Sequence, residues 1–202
     1  IGGAQDGVVF ELSPDLSAMQ WSSFYGGSNN DACYSVKVDS SYNVVFAGGT
    51  SSLNLQGTSA GYQPNYNGGI TDGFVVKMPA NGSSILAASY VGTSDYDQVI
   101  MVEIDRNDNV FLVGQSLGGG FPIVNAAYVD PLGSQFIVKF DPSLSTIENS
   151  TLFGNTTETT IDISPSAFLV DICGNIYVCG WGANILDPLQ TPLSGMPISS
   201  DA

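Results

Sequence analysis

The sequence predicts an all-β chain, a partial β-propeller of about three four-stranded antiparallel blades. Three observations predict it. DICGNIYVCG at 171–180 has counterparts in DSSYNVVFAG at 39–48 and DRNDNVFLVG at 105–114, so an aspartate, an asparagine and a glycine each recur at a spacing of 66 residues; a fixed period of this kind marks an array or propeller. The segments around each copy alternate apolar and polar residues with period two, the strand pattern. Between them stand Pro, Asp, Asn and Gly, which set turn dihedrals.

Taken in order, the first strand of the unit reads GVVFEL at 7–12, GFVVKM at 73–78 and SQFIVKF at 134–140, with Val8, Phe10 and Leu12 on one face and Glu11 on the other. The turns SPDLS, PANGS and DPSLS follow, and a second strand runs to Tyr25-Gly26, Val91-Gly92 and Phe153-Gly154. The third ends on the repeated aspartate: YSVKVD, MVEID, AFLVD. The fourth, NVVFAG, NVFLVG or NIYVCG, is nearly all apolar and is expected to be covered on both faces. Gly48, Gly114 and Gly180 close the unit, which places blades at 6–48, 72–114 and 134–180, with 181–202 opening the next connector. The connectors echo one another in FPIVNAAY (121–128), MPISSDA (196–202) and LNLQGTSAGY (53–62). Hairpin-type turns argue against the alternative of a parallel β-solenoid. Three blades do not close a ring of the usual 4–8, so 1–202 is expected to be a fragment of one propeller domain in a longer polypeptide.

Equivalent apolar strand positions form the expected core: Val36, Val38, Val44, Phe46, Val102, Ile104, Val110, Leu112, Leu169, Ile176 and Val178. With 43% hydrophobic residues the chain has material for such a core and is not of the disordered class. Four basic residues against nineteen acidic ones give a net charge of −15. Nucleic acid and anionic lipid are held by basic clusters, and the sequence has none, so neither is an expected partner. An acidic, Lys-poor chain rich in Gly, Ser, Thr and Asn suits an extracellular protein. Cys173 and Cys179, six residues apart on one extended segment, are separated by roughly 20 Å, and no disulfide is expected within the chain.

DRNDN at 105–109 has the alternating oxygens of part of a calcium loop, but Ser116 stands where the closing carboxylate belongs, and DSSYN and DICGN carry fewer oxygens. The favoured reading is a structural turn, in which Asp39, Asp105 and Asp171 accept backbone N–H bonds while Asn43, Asn109 and Asn175 take left-handed dihedrals. No cofactor is expected, with calcium as the alternative. No histidine is present, so Ser-His-Asp and Cys-His catalysis is excluded within these residues. Asp95 and Asp97, near Glu158, are the acids that a glycosidase reading would use. Exposed aromatics are the better recognition candidates: Trp181, where Gly49 and Gln115 stand in the other repeats, and the connector residues Tyr62, Tyr66 and Tyr128. Their competing role is to plug gaps between blades. Asn-x-Ser/Thr sequons at Asn81, Asn149 and Asn155 mark exposed turns.

The series FYGGSNNDACYSVKVDSSYNVVFAGGTSS, AGYQPNYNGGITDGFVVKM and DICGNIYVCGWG resembles the SBBP-type (seven-bladed β-propeller) repeats of large surface proteins of Bacteroidota, over essentially the whole chain. Tyr42 and Asp108 depart from that pattern, where Gly is frequent in the turn. The resemblance implies a secreted or cell-surface protein on the outer side of a bacterial outer membrane, exported as type IX secretion cargo of the gliding-motility-associated kind. The expected function is therefore a non-enzymatic scaffold or adhesion module. Its expected partners are the rest of its own chain, secretion machinery, and a surface glycan or protein. The alternative is part of a propeller enzyme acting on polysaccharide, with its catalytic residues elsewhere.

Overall fold

The computed structural model describes residues 2–154, 160–161 and 163–182. The chain is all-β. In chain order the strands are β1 (Gly7–Leu12), β2 (Met19–Tyr25), β3 (Asp31–Val38), β4 (Val44–Thr50), β5 (Asp72–Met78), β6 (Ala87–Val91), β7 (Asp97–Ile104), β8 (Val110–Ser116), β9 (Gln135–Phe140), β10 (Ile147–Phe153), β11 (Ile163–Val170) and β12 (Ile176–Gly182). They bond as four antiparallel sheets: β1-β2, β3-β4-β5-β6, β7-β8-β9-β10 and β11-β12.

The strands fall close to where the sequence places them, but the sheets are phased differently. The two complete sheets span 31–91 and 97–153, so the blade limits 6–48, 72–114 and 134–180 are corrected by two strands. The physical reason lies in the connectors. The stretch between β4 and β5 looks like a spacer between blades, yet the two strands pair without interruption from Val44↔Met78 to Thr50↔Asp72. That connector runs beside the outer strand, where Tyr90 N–H donates to the Gln63 carbonyl at 3.0 Å. The next connector does the same, with Val124 bridging Ser150. Conversely, the short segments after β2 and β6 are sequence-local enough to pass for hairpins, but they carry the chain from one sheet to the next.

The sheets pack face to face in series, which explains strands that are apolar throughout. Val45 and Ala47 of β4 enter a core shared with Val99, Val102, Leu112, Phe136 and Val138 of the next sheet. Phe46, between them in sequence, points the other way into a cluster with Val9, Tyr25, Phe74 and Val76. A third cluster joins Phe111 and Val113 to Phe168 and Val170 of β11. A strand packed on both sides has no polar face to keep, so alternation disappears.

Several core expectations are corrected at the ends of this series. Phe46, Val102, Val110 and Leu112 are buried and Val44, Ile104 and Val178 partly so, but Val36, Val38, Leu169 and Ile176 are exposed. On β1 it is Val9 that is buried, while Val8, Phe10 and Leu12 face outward. Val36 and Val38 look toward the side where β1-β2 supplies only two strands; their counterpart Val102 meets a four-stranded neighbour and is covered. The echo at 196–202 lies outside the described residues. Trp181 and Gly182 end β12 and do not open a connector.

The repeated glycines are not unit ends either. Gly48, Gly114 and Gly180 lie inside β4, β8 and β12, each opposite a β-bulge, where the register shifts at Cys33/Ser35, Val99/Met101 and Pro165/Ala167. A Cβ on these glycines would collide with the carbonyl oxygens of Ala32, Gln98 and Ser164 respectively. The extra residue of each bulge pushes the facing backbone inward, and only glycine leaves room for it.

Candidate functional site

The Asp-x-x-x-Asn turns form a repeated polar unit whose oxygens are spent on the backbone. Asp39 Oδ1 accepts the N–H groups of Ser41 (2.9 Å) and Asn43 (2.8 Å), and Oδ2 accepts Asn43 Nδ2 at 2.9 Å. Asp105 and Asp171 repeat the scheme with Asn107 and Asn109, and with Cys173 and Asn175. The left-handed residue is not the asparagine but the one before it: Tyr42 at φ 64°, Asp108 at φ 63° and Gly174 at φ 85°. These positions include the two where Gly is frequent in the SBBP-type pattern. Since a left-handed conformation costs a non-glycine residue roughly 1–2 kcal/mol, and Tyr42 is exposed, Tyr42→Gly is expected to hold or raise stability by up to about 1 kcal/mol after its own entropy cost. Urea unfolding checks this; a loss above about 1 kcal/mol would contradict it.

Burial alone would raise the Asp39 carboxyl, but Lys77 and the bonds from Asn43 hold it below its usual value. Lys77 Nζ sits 2.8 Å from Asp39 Oδ2, with both side chains nearly buried. The Asp105 carboxyl is likewise lowered against burial, by Asn109, Asn107 and the nearby Lys139. Lys139 lies 5.6 Å from the centroid of the Phe111 ring and pairs with Glu148 at 2.7 Å. Lys37 reaches from one complete sheet to Glu103 of the next, also at 2.7 Å. Among the described residues no three His, Cys, Asp or Glu side chains group as metal ligands.

The aromatic candidates do not converge. Tyr62 packs edge-on against Phe140 with centroids 5.9 Å apart, and Tyr66 edge-on against Tyr90 at 6.0 Å. These two serve the packing of connectors onto the sheets. Tyr62 nonetheless leaves about as much of its surface exposed as Tyr128 does, and Trp181 is more exposed than either. Tyr128 borders a cleft of about 540 Å³ between the Asp105 and Asp171 turns, lined also by Arg106, Lys139, Asn149 and Ile172. Trp181 lies outside it, on β12 opposite Ser164. Asn81 and Asn149 occupy a turn and β10, and Asn155 lies outside the described residues. Cys33, Cys173 and Cys179 are free, and burial pushes the Cys33 thiol up to about 12.

The acids that a glycosidase would need are placed differently. Asp97 is no loop acid: it opens β7, is fully buried, and accepts the N–H (2.6 Å) and hydroxyl (2.8 Å) of Thr93. Asp95 is exposed, and Glu158 lies outside the described residues. Asp97 pairs instead with Asp72, fully buried at the start of β5; both carboxylates approach within about 3 Å of where a Cβ on Gly92 would stand. One repeat earlier, Asp6 and Asp31 oxygens both lie 2.5 Å from the corresponding point on Gly26. Asp31 is tied down by Gly27 N–H at 2.8 Å, Ser52 at 2.9 Å and the Thr50 hydroxyl. Among the described residues Asp6 Oδ1 and Asp72 Oδ1 have no hydrogen-bond partner. These pairs went unread in the sequence, although Asp6/Asp72 and Asp31/Asp97 recur at the same 66-residue spacing.

Burial, reinforced by the charge of Asp97, raises the Asp72 carboxyl to about 7, and burial raises Asp97 as well. In the unfolded chain an aspartate titrates near 3.9. Between about pH 4 and about pH 7 the folded protein therefore holds a proton that the unfolded chain has released, so this contribution is complete below pH 4 and is lost as pH rises through 7. At about 1.4 kcal/mol per pKa unit, Asp72→Asn is expected to remove a fall in stability of one to several kcal/mol over that window. Denaturant midpoints from pH 4 to 8 check it; parallel profiles for both proteins would contradict it.

Fold and site together define a propeller-like array of face-packed antiparallel sheets whose recurring polar residues serve turns, bulges and sheet junctions. No protein-family model matches the chain, and no curated protein matches it.

Proposed function

We propose that the chain is a non-enzymatic scaffold or adhesion module of a secreted or cell-surface protein, in line with its resemblance to SBBP-type repeat proteins and, through it, with export as type IX secretion cargo. The observation that carries the reading is the division of labour between repeated and unrepeated residues. The residues that recur at 66 serve the frame, in the Asp-Asn turns, the bulge glycines and the buried Asp pairs. Exposed positions that differ between repeats include Trp181, where Gly49 and Gln115 stand, and Ile172, where Ser40 and Arg106 stand. A frame kept constant while its exposed positions vary is suited to recognition by loops on a rigid support. The strongly acidic balance supports the extracellular side of the reading. No helix among the described residues is long and apolar enough to cross a membrane.

The test is a glycan and peptide array probed with the chain, alongside hydrolysis assays on a polysaccharide panel and antibody labelling of intact source cells. The reading expects surface labelling, no hydrolysis, and array binding that Tyr128→Ala or Trp181→Ala weakens. Turnover of any polysaccharide that survives purification to homogeneity would replace it with the propeller-enzyme alternative.

A further inference from the structure

Each complete sheet carries a lysine at one position of its third strand. Lys77 of β5 stands opposite Val45 and reaches Asp39, at the turn joining the first two strands. Lys139 of β9 stands opposite Phe111 and lies over its ring, and its charge helps to lower the Asp105 carboxyl. The third copy of that hairpin, β11-β12, has the same turn and the same bulge. Its second strand is bonded to β11, and among the described residues no strand pairs along its other edge. Tyr177 occupies the place of Val45 and Phe111, and its hydroxyl lies 3.2 Å from Asp171 Oδ2. No lysine of this chain is left to meet Asp171, because Lys37, Lys77 and Lys139 are all engaged in ion pairs elsewhere.

β1, the third-strand equivalent of β5 and β9, likewise has β2 on one side and, among the described residues, no strand on the other. If β12 of one copy paired with β1 of another in the register of β4 with β5, Tyr177 would face Glu11. Glu11 stands where the two complete sheets have lysine, so its carboxylate would meet that of Asp171 in place of an ion pair. Glu11 is held instead by Trp21 Nε1 at 2.6 Å. Like charges directly opposed on a sheet are destabilising, and such a device keeps wrong edges apart.

We propose that the edge of β12 left uncovered among the described residues is a docking site for the outer hairpin of another blade of this repeat type, one whose first strand is apolar with lysine at the position of Lys77, and that Glu11 bars the chain's own β1 from it. The incoming strand runs antiparallel to β12. Its lysine lies across Tyr177, as Lys139 lies across Phe111, and closes on Asp171, as Lys77 closes on Asp39. Main-chain bonds supply the attachment and this one charge selects the strand.

The experiment appends a second copy of residues 72–91 after Ala202, with either the native lysine or glutamate at the position copied from Lys77. Both versions are made with Asp171 and with Asp171→Asn, and amide hydrogen exchange is followed across β12. The lysine version is expected to slow exchange at the β12 amides by about tenfold or more relative to the glutamate version, and Asp171→Asn is expected to remove most of that difference. Equal protection by both versions, or protection by neither, would overturn the proposal. In the unmodified chain Glu11→Lys supplies the missing charge. It is expected to raise head-to-tail association in sedimentation by about tenfold; association of the native chain through β1 and β12, or none with the variant, would count against the selection rule.

Discussion

Gly114→Val is expected to abolish folding or to cost more than about 4 kcal/mol. A side chain at this position would meet the Gln98 carbonyl oxygen on one side and the Phe136 ring on the other. Neither can yield cheaply. The carbonyl belongs to the bulge that sets the register of β7 against β8, and Phe136 is fully buried and stacked on Phe121 at 4.3 Å. Overpacking at one site would thus disturb both strand pairing and the sheet-to-sheet core. Gly174→Ala is the contrasting case: its φ is +85°, but nothing lies within 4 Å of the added carbon, so the expected cost is only the roughly 1–2 kcal/mol of a left-handed alanine. Urea unfolding followed by circular dichroism compares them. A Gly114→Val loss no larger than that of Gly174→Ala would mean that the bulge is not as described.

The second large effect is expected from Leu112→Ala. Leu112 is fully buried in the cluster between the two complete sheets, so its truncation forfeits transfer energy and leaves a cavity, together about 2–5 kcal/mol. Val36→Ala, at an exposed valine of β3, is expected to cost well under about 1 kcal/mol. The pair reads out which strand faces are covered. A loss below about 0.5 kcal/mol for Leu112→Ala would contradict the packing of β8 between sheets.

What could be read from the sequence was local. The aspartate, asparagine and glycine of each turn recur because each fills a role that other residues fill badly, and periodicity exposed them. Period-two alternation likewise located the first strand of the unit, and continuous apolar runs its fourth, since both depend only on neighbours along the chain. Which strands share a sheet does not. The long stretch before Asp72 and the short one before Asp31 invite the opposite inference from the truth, because connector length says nothing about where the connector runs. The buried acids were hidden by a sound expectation, that aspartates lie at the surface. Asp72 and Asp97 defy it because Asn67, Gln63 and Thr93 supply donors for part of their oxygens. The exposure of Val36 and Val38 was equally out of reach, since whether an apolar strand face is covered depends on how many strands its neighbour has.

The phase of the sheets underlies both the rigid frame and the location of the docking edge, and cross-strand nuclear Overhauser effects test it most directly. The observed pairing predicts Hα–Hα and amide contacts linking β4 with β5, as in Phe46 with Val76, and β8 with β9, as in Leu112 with Val138, and none linking β2 with β3 or β6 with β7. Contacts running between β2 and β3, with none between β4 and β5, would contradict it.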